Sequence, residues 1–318
     1  MTEANQLFIH LSAQENAQSF LHKCYQNIDE QTKKSYQNGT AFMHYIQHGL
    51  QFYKSGEESS PIVRPVLYFY GMVHLLKGWI LTKRPNYPES TALLAHGVTS
   101  RKRKRKDYQF FDDEVKIQQQ GLFPYFTKHM YHFNSFPLEK ASMRLLLANI
   151  PELQLLWGYQ QKKTLINIGE INSDHLLFPM SILDHFHLTR NAFVQRIRPF
   201  LPSIKEISEQ SSSFKIDLAE KIVHANGPFF VHMDNQQLYF PTSRDIYLPY
   251  SEIITHYLIL YNLSMLCRYE TEWWGELMVS KADSAYPMIE HFLEITRRKI
   301  PYLIEKELHS IYSASNGK

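Results

Sequence analysis

The sharpest chemical feature of this 318-residue sequence is a run of six consecutive basic residues: Arg101, Lys102, Arg103, Lys104, Arg105 and Lys106. Arginine presents a planar fork that grips phosphate through two hydrogen bonds, and lysine adds a mobile point charge. His96, Gly97, Thr99 and Ser100 stand just upstream, where backbone and hydroxyl donors would join them. The chemistry expected here is the binding of an anion or of a partner. The plainer alternative is a solvated loop neutralised by Asp112, Asp113 and Glu114, because charge runs usually face water. Neither a Walker-type phosphate loop nor a dinucleotide fingerprint accompanies the run.

A second polar set interrupts apolar sequence. His74 and Lys77 fall inside the apolar stretch Val66–Leu81. A lysine buried there would lose part of its basicity and could act as a base or nucleophile. Otherwise it snorkels to a rim or pairs with a carboxylate. Arg268 follows a long apolar run and precedes Tyr269, Glu270, Glu272, Trp273 and Trp274. That setting suits an interaction hot spot, or else a structural ion pair with cation–π packing. His96, just before Gly97, is favourably placed if it ends a helix. His74, Lys77 and Arg268 are therefore a candidate polar site beside the candidate binding residues His96 and Arg101 to Lys106.

Metal and catalytic signatures are sparse. His44 and His48 are four apart, and Asp184, His185 and His187 are close in sequence, but there is no His-Glu-x-x-His and the two cysteines, Cys24 and Cys267, lie far apart. With 16 histidines such pairs are expected by coincidence. No serine nucleophile elbow or conspicuous carboxylate pair occurs. The expectation is a non-catalytic protein with no metal and no cofactor.

These residues need elements to hold them. In Val66–Thr82, Val66, Phe69, Val73, Leu76 and Ile80 form one helical stripe, and Leu67, Tyr68, Met72, Leu75 and Trp79 cover much of the rest. A helix apolar nearly all round is central in its fold. Gly71 and Gly78, seven apart, would let a neighbouring backbone approach. Ser12 with Glu15 reads as a capping box for a helix through Phe20 and Leu21. After Pro249, Ile253 to Leu266 reads as a mostly buried helix, and Ala285 to Leu308 as an amphipathic one containing Pro301. Residues 97–121 read as an excursion. Between the helical parts, Leu165–Ile168 and Leu176–Phe178 flank Asn172-Ser173-Asp174, and Phe229–Met233 and Leu238–Phe240 flank residues 234–237, giving two hairpin candidates. The expected fold is mainly α with a small antiparallel β-sheet insertion (α+β) around a helical-bundle core. The expected parts are 1–160 (helical), 161–248 (β-containing) and 249–318, whose helices join the first part.

Hydrophobic residues make up 44% of the chain and aromatic residues 14%, enough for a core seamed with tyrosine hydroxyl contacts. The net charge of +3 is too balanced to mark a nucleic-acid binder by itself. The first ten residues lack a signal-peptide pattern, and the most apolar stretch is shorter than the ~20 residues of a membrane span. A cytoplasmic protein with no membrane contact is expected.

Several words of the sequence resemble the YaaC-like proteins of Bacillus and its relatives. They are Leu67-Tyr68-Phe69-Tyr70-Gly71-Met72-Val73-His74-Leu75-Leu76-Lys77, Tyr87-Pro88-Glu89-Ser90-Thr91, His96-Gly97-Val98-Thr99-Ser100-Arg101-Lys102, Asp113-Glu114-Val115-Lys116-Ile117-Gln118, Gly121-Leu122-Phe123, and Leu263-Ser264-Met265-Leu266-Cys267-Arg268-Tyr269 followed by Trp273. Members of that family tend to sit beside the gene for IMP dehydrogenase. The resemblance therefore implies a context in purine nucleotide metabolism, with IMP dehydrogenase as the candidate partner, while the lack of catalytic motifs and the abundance of Tyr, Trp and Arg lead to the expectation of a regulatory protein contacting a cytosolic protein partner. The Tyr68–Leu81 helix also looks like the aromatic helix of HEPN-type bundles. The nuclease signature of those proteins, an Arg followed four to six residues later by His, is absent here. The alternative function is nucleic-acid-directed, an RNA binder or a degenerate HEPN-like ribonuclease. A nucleotide or RNA ligand is compatible with the basic run beside Tyr108, Phe110 and Phe111.

Overall fold

The computed structural model describes residues 6–101, 108–133, 138–281 and 283–316. Lys102 to Lys106, five of the six basic residues, lie outside the described residues. The chain divides into two compact units, one formed by the residues up to Ser142 together with those from Tyr257 on, the other by Met143–His256.

The first unit opens with α1 (Gln6–His10), α2 (Gln14–Cys24), α3 (Gln31–Glu58) and α4 (Arg64–Lys83). Pro65 sits in the first turn of α4, where its missing N–H costs nothing, and Pro85 follows the helix end. Tyr68, Phe69, Met72, Leu75, Leu76, Trp79 and Ile80 of α4 are all buried, as a helix apolar on nearly every side requires. A Cβ on Gly71 would lie 3.1 Å from the Gly49 carbonyl oxygen, so the close helix approach expected at Gly71 is made, against α3. The expected capping box is not formed. The Ser12 hydroxyl donates to the Ile9 carbonyl at 2.6 Å, at the end of α1, and α2 starts without a side-chain cap.

The excursion after α4 contains strands that its sequence did not announce. A three-stranded antiparallel sheet runs β1 (Val98–Ser100), β2 (Glu114–Ile117), β3 (Lys140–Ser142), and α5 (Leu122–Tyr131) lies between β2 and β3 in the chain. Three-residue strands carry too little period-2 signal to be read directly. Asp113, just before β2, is buried. Its Oδ2 accepts from the Tyr108 hydroxyl (3.0 Å) and from Asn262 Nδ2 (2.8 Å).

The second unit begins with α6 (Met143–Ala148) and α7 (Gln154–Tyr159), then β4 (Leu165–Glu170), β5 (His175–Pro179), α8 (Ser181–Phe186), α9 (Arg190–Ile197), β6 (Ile204–Glu209), β7 (Ser213–Leu218), β8 (Phe230–Val231) and β9 (Gln237–Pro241). It holds two sheets rather than one, ordered β4-β9-β8 and β5-β7-β6. The hairpin around residues 234–237 is present as the antiparallel pair β8 and β9. The one around residues 172–174 is not, since β4 pairs with β9 and β5 with β7. The reason lies in backbone bonding. Asn172 N–H donates to Ile222 O, and the Ser173 and Asp174 carbonyls accept from Ile222 and Leu218 N–H, so the connection is satisfied by a third segment rather than across a turn. Phe178, Phe193, Phe214 and Phe240 interlock in the core of this unit.

α10 (Glu252–Tyr269), α11 (Thr271–Ser280) and α12 (Tyr286–Asn316) complete the chain, α10 entering the first unit at Tyr257. Residues 251–266 are buried without interruption, and Pro301 lies inside α12. The expectation of a mainly helical α+β fold is met. No helix among the described residues is long and apolar enough to cross a membrane.

Candidate functional site

Between residues 68 and 82 of α4 every side chain is buried except three: Tyr70, His74 and Lys77. Their spacings of four and three place them on one face, one above the other. The central helix therefore has a single accessible stripe, and that stripe carries the groups able to do chemistry. α3 lines its other side with Tyr45, His48 and Phe52, at the same helical spacing. Phe52 stacks on the His74 ring (5.5 Å between centroids, 14° between planes), His48 meets it edge-on at 5.6 Å, and Tyr45 lies at 6.0 Å. The Lys77 ammonium is 5.8 Å from the Tyr45 ring centroid. The result is an aromatic and imidazole-lined groove between two helices.

His96 is delivered by a tight corner. Gly97, just after it, has φ +79°, and Gly121, just before α5, has φ +120°. The two backbones touch, so that a Cβ on Gly121 would come 2.5 Å from Gly97 Cα. Only glycine tolerates both the positive φ and that approach. The corner is pinned on both sides. The His96 carbonyl accepts from Phe123 N–H (3.1 Å) and from the Tyr257 hydroxyl of α10 (2.9 Å), and the Ala95 carbonyl accepts from Leu122 N–H (2.7 Å). The His96 ring consequently meets Phe69 (4.9 Å) and Tyr70 (6.0 Å) of α4 and Tyr261 (5.9 Å) of α10.

Arg268 comes from the last turn of α10. Its Nε donates to the Ser264 carbonyl at 3.0 Å and its guanidinium carbon lies 5.3 Å from the Tyr269 ring. These contacts hold the side chain without neutralising it, because no carboxylate pairs with it among the described residues. The cation–π half of the structural reading is present and the ion pair is not.

Electrostatics ties the four residues together. Burial, then the charges of Arg268 and Lys77, push the His96 imidazole down to about 4. Burial, then Lys77, then His48, push His74 down to about 4. Burial also lowers Lys77. Every charged group acting on the two imidazoles is itself basic. At neutral pH both imidazoles are thus neutral, and no carboxylate among the described residues perturbs them. His74 Nδ1 is buried without a hydrogen-bond partner. Such a set of donors and positive charge suits an anion.

Of the residues singled out in the sequence, Lys77 acts on both His74 and His96, and Arg268 acts on His96, although the four span nearly 200 positions. Arg101 is separate, exposed just after β1, and the rest of the basic run lies outside the described residues. Two members of the acidic patch have other engagements. Asp113 is tied to Tyr108 and Asn262, and Glu114 pairs with Lys140 at 3.2 Å. Among the described residues no group of three His, Cys, Asp or Glu side chains could hold a metal, so His44 with His48 stays a pair of rings 5.9 Å apart. Tyr45, Phe52, Tyr70 and Tyr261 were not anticipated. The signal for the first three was the matching helical spacing on α3 and α4, whereas Tyr261 needed the tertiary fold.

Fold and groove together define a mainly helical α+β protein whose central helix opens one cationic, aromatic-lined face. The model of the YaaC-like protein family matches residues 9–308, and the chain belongs to that family. No curated protein and no solved structure matches it. The HEPN-like resemblance of the Tyr68–Leu81 helix has no counterpart in these comparisons.

Proposed function

We propose that this chain is a non-catalytic binding protein that takes a negatively charged ligand in the groove of α3 and α4. One observation carries the reading: the single accessible stripe of the central helix bears His74 and Lys77, the His96 ring meets that stripe at Tyr70, and among the described residues only basic groups act on the two imidazoles. Folding alone gains nothing from this arrangement, since half-buried like charges raise the energy of the folded chain. An anion would relieve it. The acceptor is proposed to serve regulation, with IMP dehydrogenase the protein partner to test first.

Thermal unfolding with and without added anion tests the site. Anion at about 100 times its Kd should stabilise the wild type by about 2.7 kcal/mol. The Lys77→Gln, Arg268→Gln double variant should fold and lose that response. An equal response in both proteins would place anion binding elsewhere.

A second reading rests on a different observation. On the sheet β1-β2-β3, Lys116 and Lys140 stand directly opposite each other, and Arg101 follows β1. Like charges opposed across strands destabilise a sheet, and Glu114, paired with Lys140 at 3.2 Å, offsets only one of the two. A single-stranded nucleic acid would satisfy that face. Lys116→Gln with Lys140→Gln should then weaken RNA binding and reduce its salt dependence.

A further inference from the structure

We propose that the cleft between β2 and α5 receives a short acidic segment of a protein partner, an extended peptide whose carboxylates reach Lys116 and Lys128. None of the described residues lining this cleft belongs to the α3–α4 groove, so the site stands apart from the anion site there.

Size sets the first constraint. The cleft has a volume of about 1170 Å³. Pockets for small molecules hold roughly 300–1,000 Å³, so an extended ligand fills this one better than a compact metabolite. Its walls come from the segment after α4, the end of β2 with the residues up to Gly121, and α5, all within the first unit. One wall is fixed by a closed set of bonds. The Tyr125 hydroxyl donates to Glu89 Oε1 (2.8 Å) and accepts from Arg84 Nε (3.0 Å), and Arg84 Nη2 donates to the same carboxylate. Tyr125 is buried, so this set ties the segment after α4 to α5.

Charge sets the second constraint. Arg84 is neutralised by Glu89 within the wall, and Lys140 on β3 is neutralised by Glu114. Lys116 on β2 and Lys128 on α5 line the same cleft and have no ion-pair partner among the described residues. Glu139, just before β3, also lines it without such a partner. The unpaired charges are therefore two positive and one negative. Burial, then the charges of Arg84 and Lys128, lower the His129 imidazole, which adds no charge at neutral pH. The two lysines call for acidic groups. A strand with a phosphate on every unit would also meet Glu139 and Glu89, and like charges brought together are costly. A chain that carries its carboxylates at intervals avoids that cost.

Hydrogen bonding sets the third constraint. The exposed amides of Gln119 and Gln120 have no partner among the described residues. The Gln118 amide nitrogen donates to Thr99 Oγ1 at 2.9 Å, which fixes the side chain and leaves its carbonyl oxygen to accept. A side-chain amide offers the same donor and acceptor that a peptide group requires in return. Leu93, Ile117 and Phe133 are half-buried on the cleft and can take apolar side chains between the acidic ones.

The test measures binding of the full chain, by fluorescence anisotropy, to an array of labelled hexapeptides. Acidic, basic or neutral residues alternate in them with apolar ones. The acidic set should contain members that bind about tenfold or more tightly than any neutral or basic peptide. Lys116→Gln with Lys128→Gln should weaken the best acidic peptide about tenfold and leave the melting temperature unchanged, since exposed charges contribute little to stability. Gln119→Ala with Gln120→Ala should weaken acidic and neutral peptides alike. Lys140→Gln, on the sheet face alone, and Lys77→Gln with Arg268→Gln, in the α3–α4 groove, should change nothing. Loss of peptide binding in the groove variant, with binding kept in the Lys116 and Lys128 variant, places the peptide in the groove and overturns the assignment. Neutral peptides equal to acidic ones overturn the acidic preference. A single-stranded hexanucleotide that displaces the peptide and binds more tightly overturns the peptide in favour of nucleic acid. If no acidic peptide binds at about millimolar concentration, the proposal fails, while the anion reading of the groove stands.

Discussion

Acid should weaken this protein through His74 and His96, by an amount the structure allows to be worked out. Both rings are half-buried and held near 4, against an ordinary value of 6.5. The unfolded chain binds a proton on each as pH falls through 6.5, and the folded chain does not follow until about 4. Between those values the unfolded state carries more protons, so stability is intact above 6.5 and is lost progressively on acidification. At pH 5 the difference amounts to about 2 kcal/mol per ring without solvent screening, and to about 1 kcal/mol once half-exposure is allowed for. Urea unfolding of wild type, His74→Gln, His96→Gln and the double variant at pH 7 and pH 5 measures it. Every other titrating group, Glu305 and Glu307 included, contributes equally to all four proteins and cancels in the comparison. The wild type should lose about 2 kcal/mol more than the double variant between the two pH values, with each single variant midway. If all four proteins lose the same amount, the two imidazoles are not held neutral by burial and by their cations, and the electrostatic account of the groove is wrong.

Leu76 is fully buried on α4, and Leu76→Ala should cost about 2–5 kcal/mol in urea unfolding; a loss below about half a kilocalorie would show that the helix is peripheral. Gly97→Ala combines a left-handed φ with contacts to Pro124 and, at 3.0 Å, to the Phe123 nitrogen, so a loss of about 2–4 kcal/mol is expected in the same assay. Lys77→Met should leave stability unchanged or raise it by up to about 1 kcal/mol, while calorimetric titration with inorganic phosphate shows binding abolished. Changing Arg101, Arg103 and Arg105 to Gln should leave the melting temperature within about a degree, since the charges of such a run ordinarily face water and contribute little. If the nucleic-acid reading holds, the same change flattens the salt dependence of RNA binding.

What could be read from the chain before folding follows the length of its signals. α4 and α10 are long enough for their apolar surfaces to announce burial, and residues 251–266 are indeed covered without a break. The sheet β1-β2-β3 could not be read, because strands of three or four residues leave no periodicity and its partners come from separated segments, with Gly97 and Gly121 meeting beside it from 24 positions apart. The hairpin misread at residues 172–174 fails for a related reason. A turn sequence shows that the chain reverses there, but the partners of its backbone groups, Leu218 and Ile222, lie 44 to 50 positions on. The site behaves in the same way. His74 and Lys77 were conspicuous as polar residues in an apolar helix, and Arg268 as a cation after one. Their convergence with His96 depends on a corner whose geometry is tertiary.

The stripe on α4 also bears on why a stable helix would hold such residues at all. Thirteen buried side chains and backbone positions of α4 serve packing, and a leucine at 74 or 77 would extend that packing at no electrostatic cost. Instead the helix places an imidazole and an ammonium one turn apart, and the ring of His96, itself acted on by Arg268, meets the same stripe at Tyr70. Burial first, and then these neighbouring basic groups, keep both imidazoles neutral. A fold under no demand but stability would dissolve this arrangement by pairing Lys77 or Arg268 with one of its 31 carboxylates, and it does pair others, as Arg64 with Glu294 at 2.8 Å and Lys33 with Glu30 at 2.8 Å. Leaving these particular cations without a carboxylate among the described residues, Lys77 beside Tyr45 and Arg268 beside Tyr269, keeps their charge available to a negative group arriving from solution.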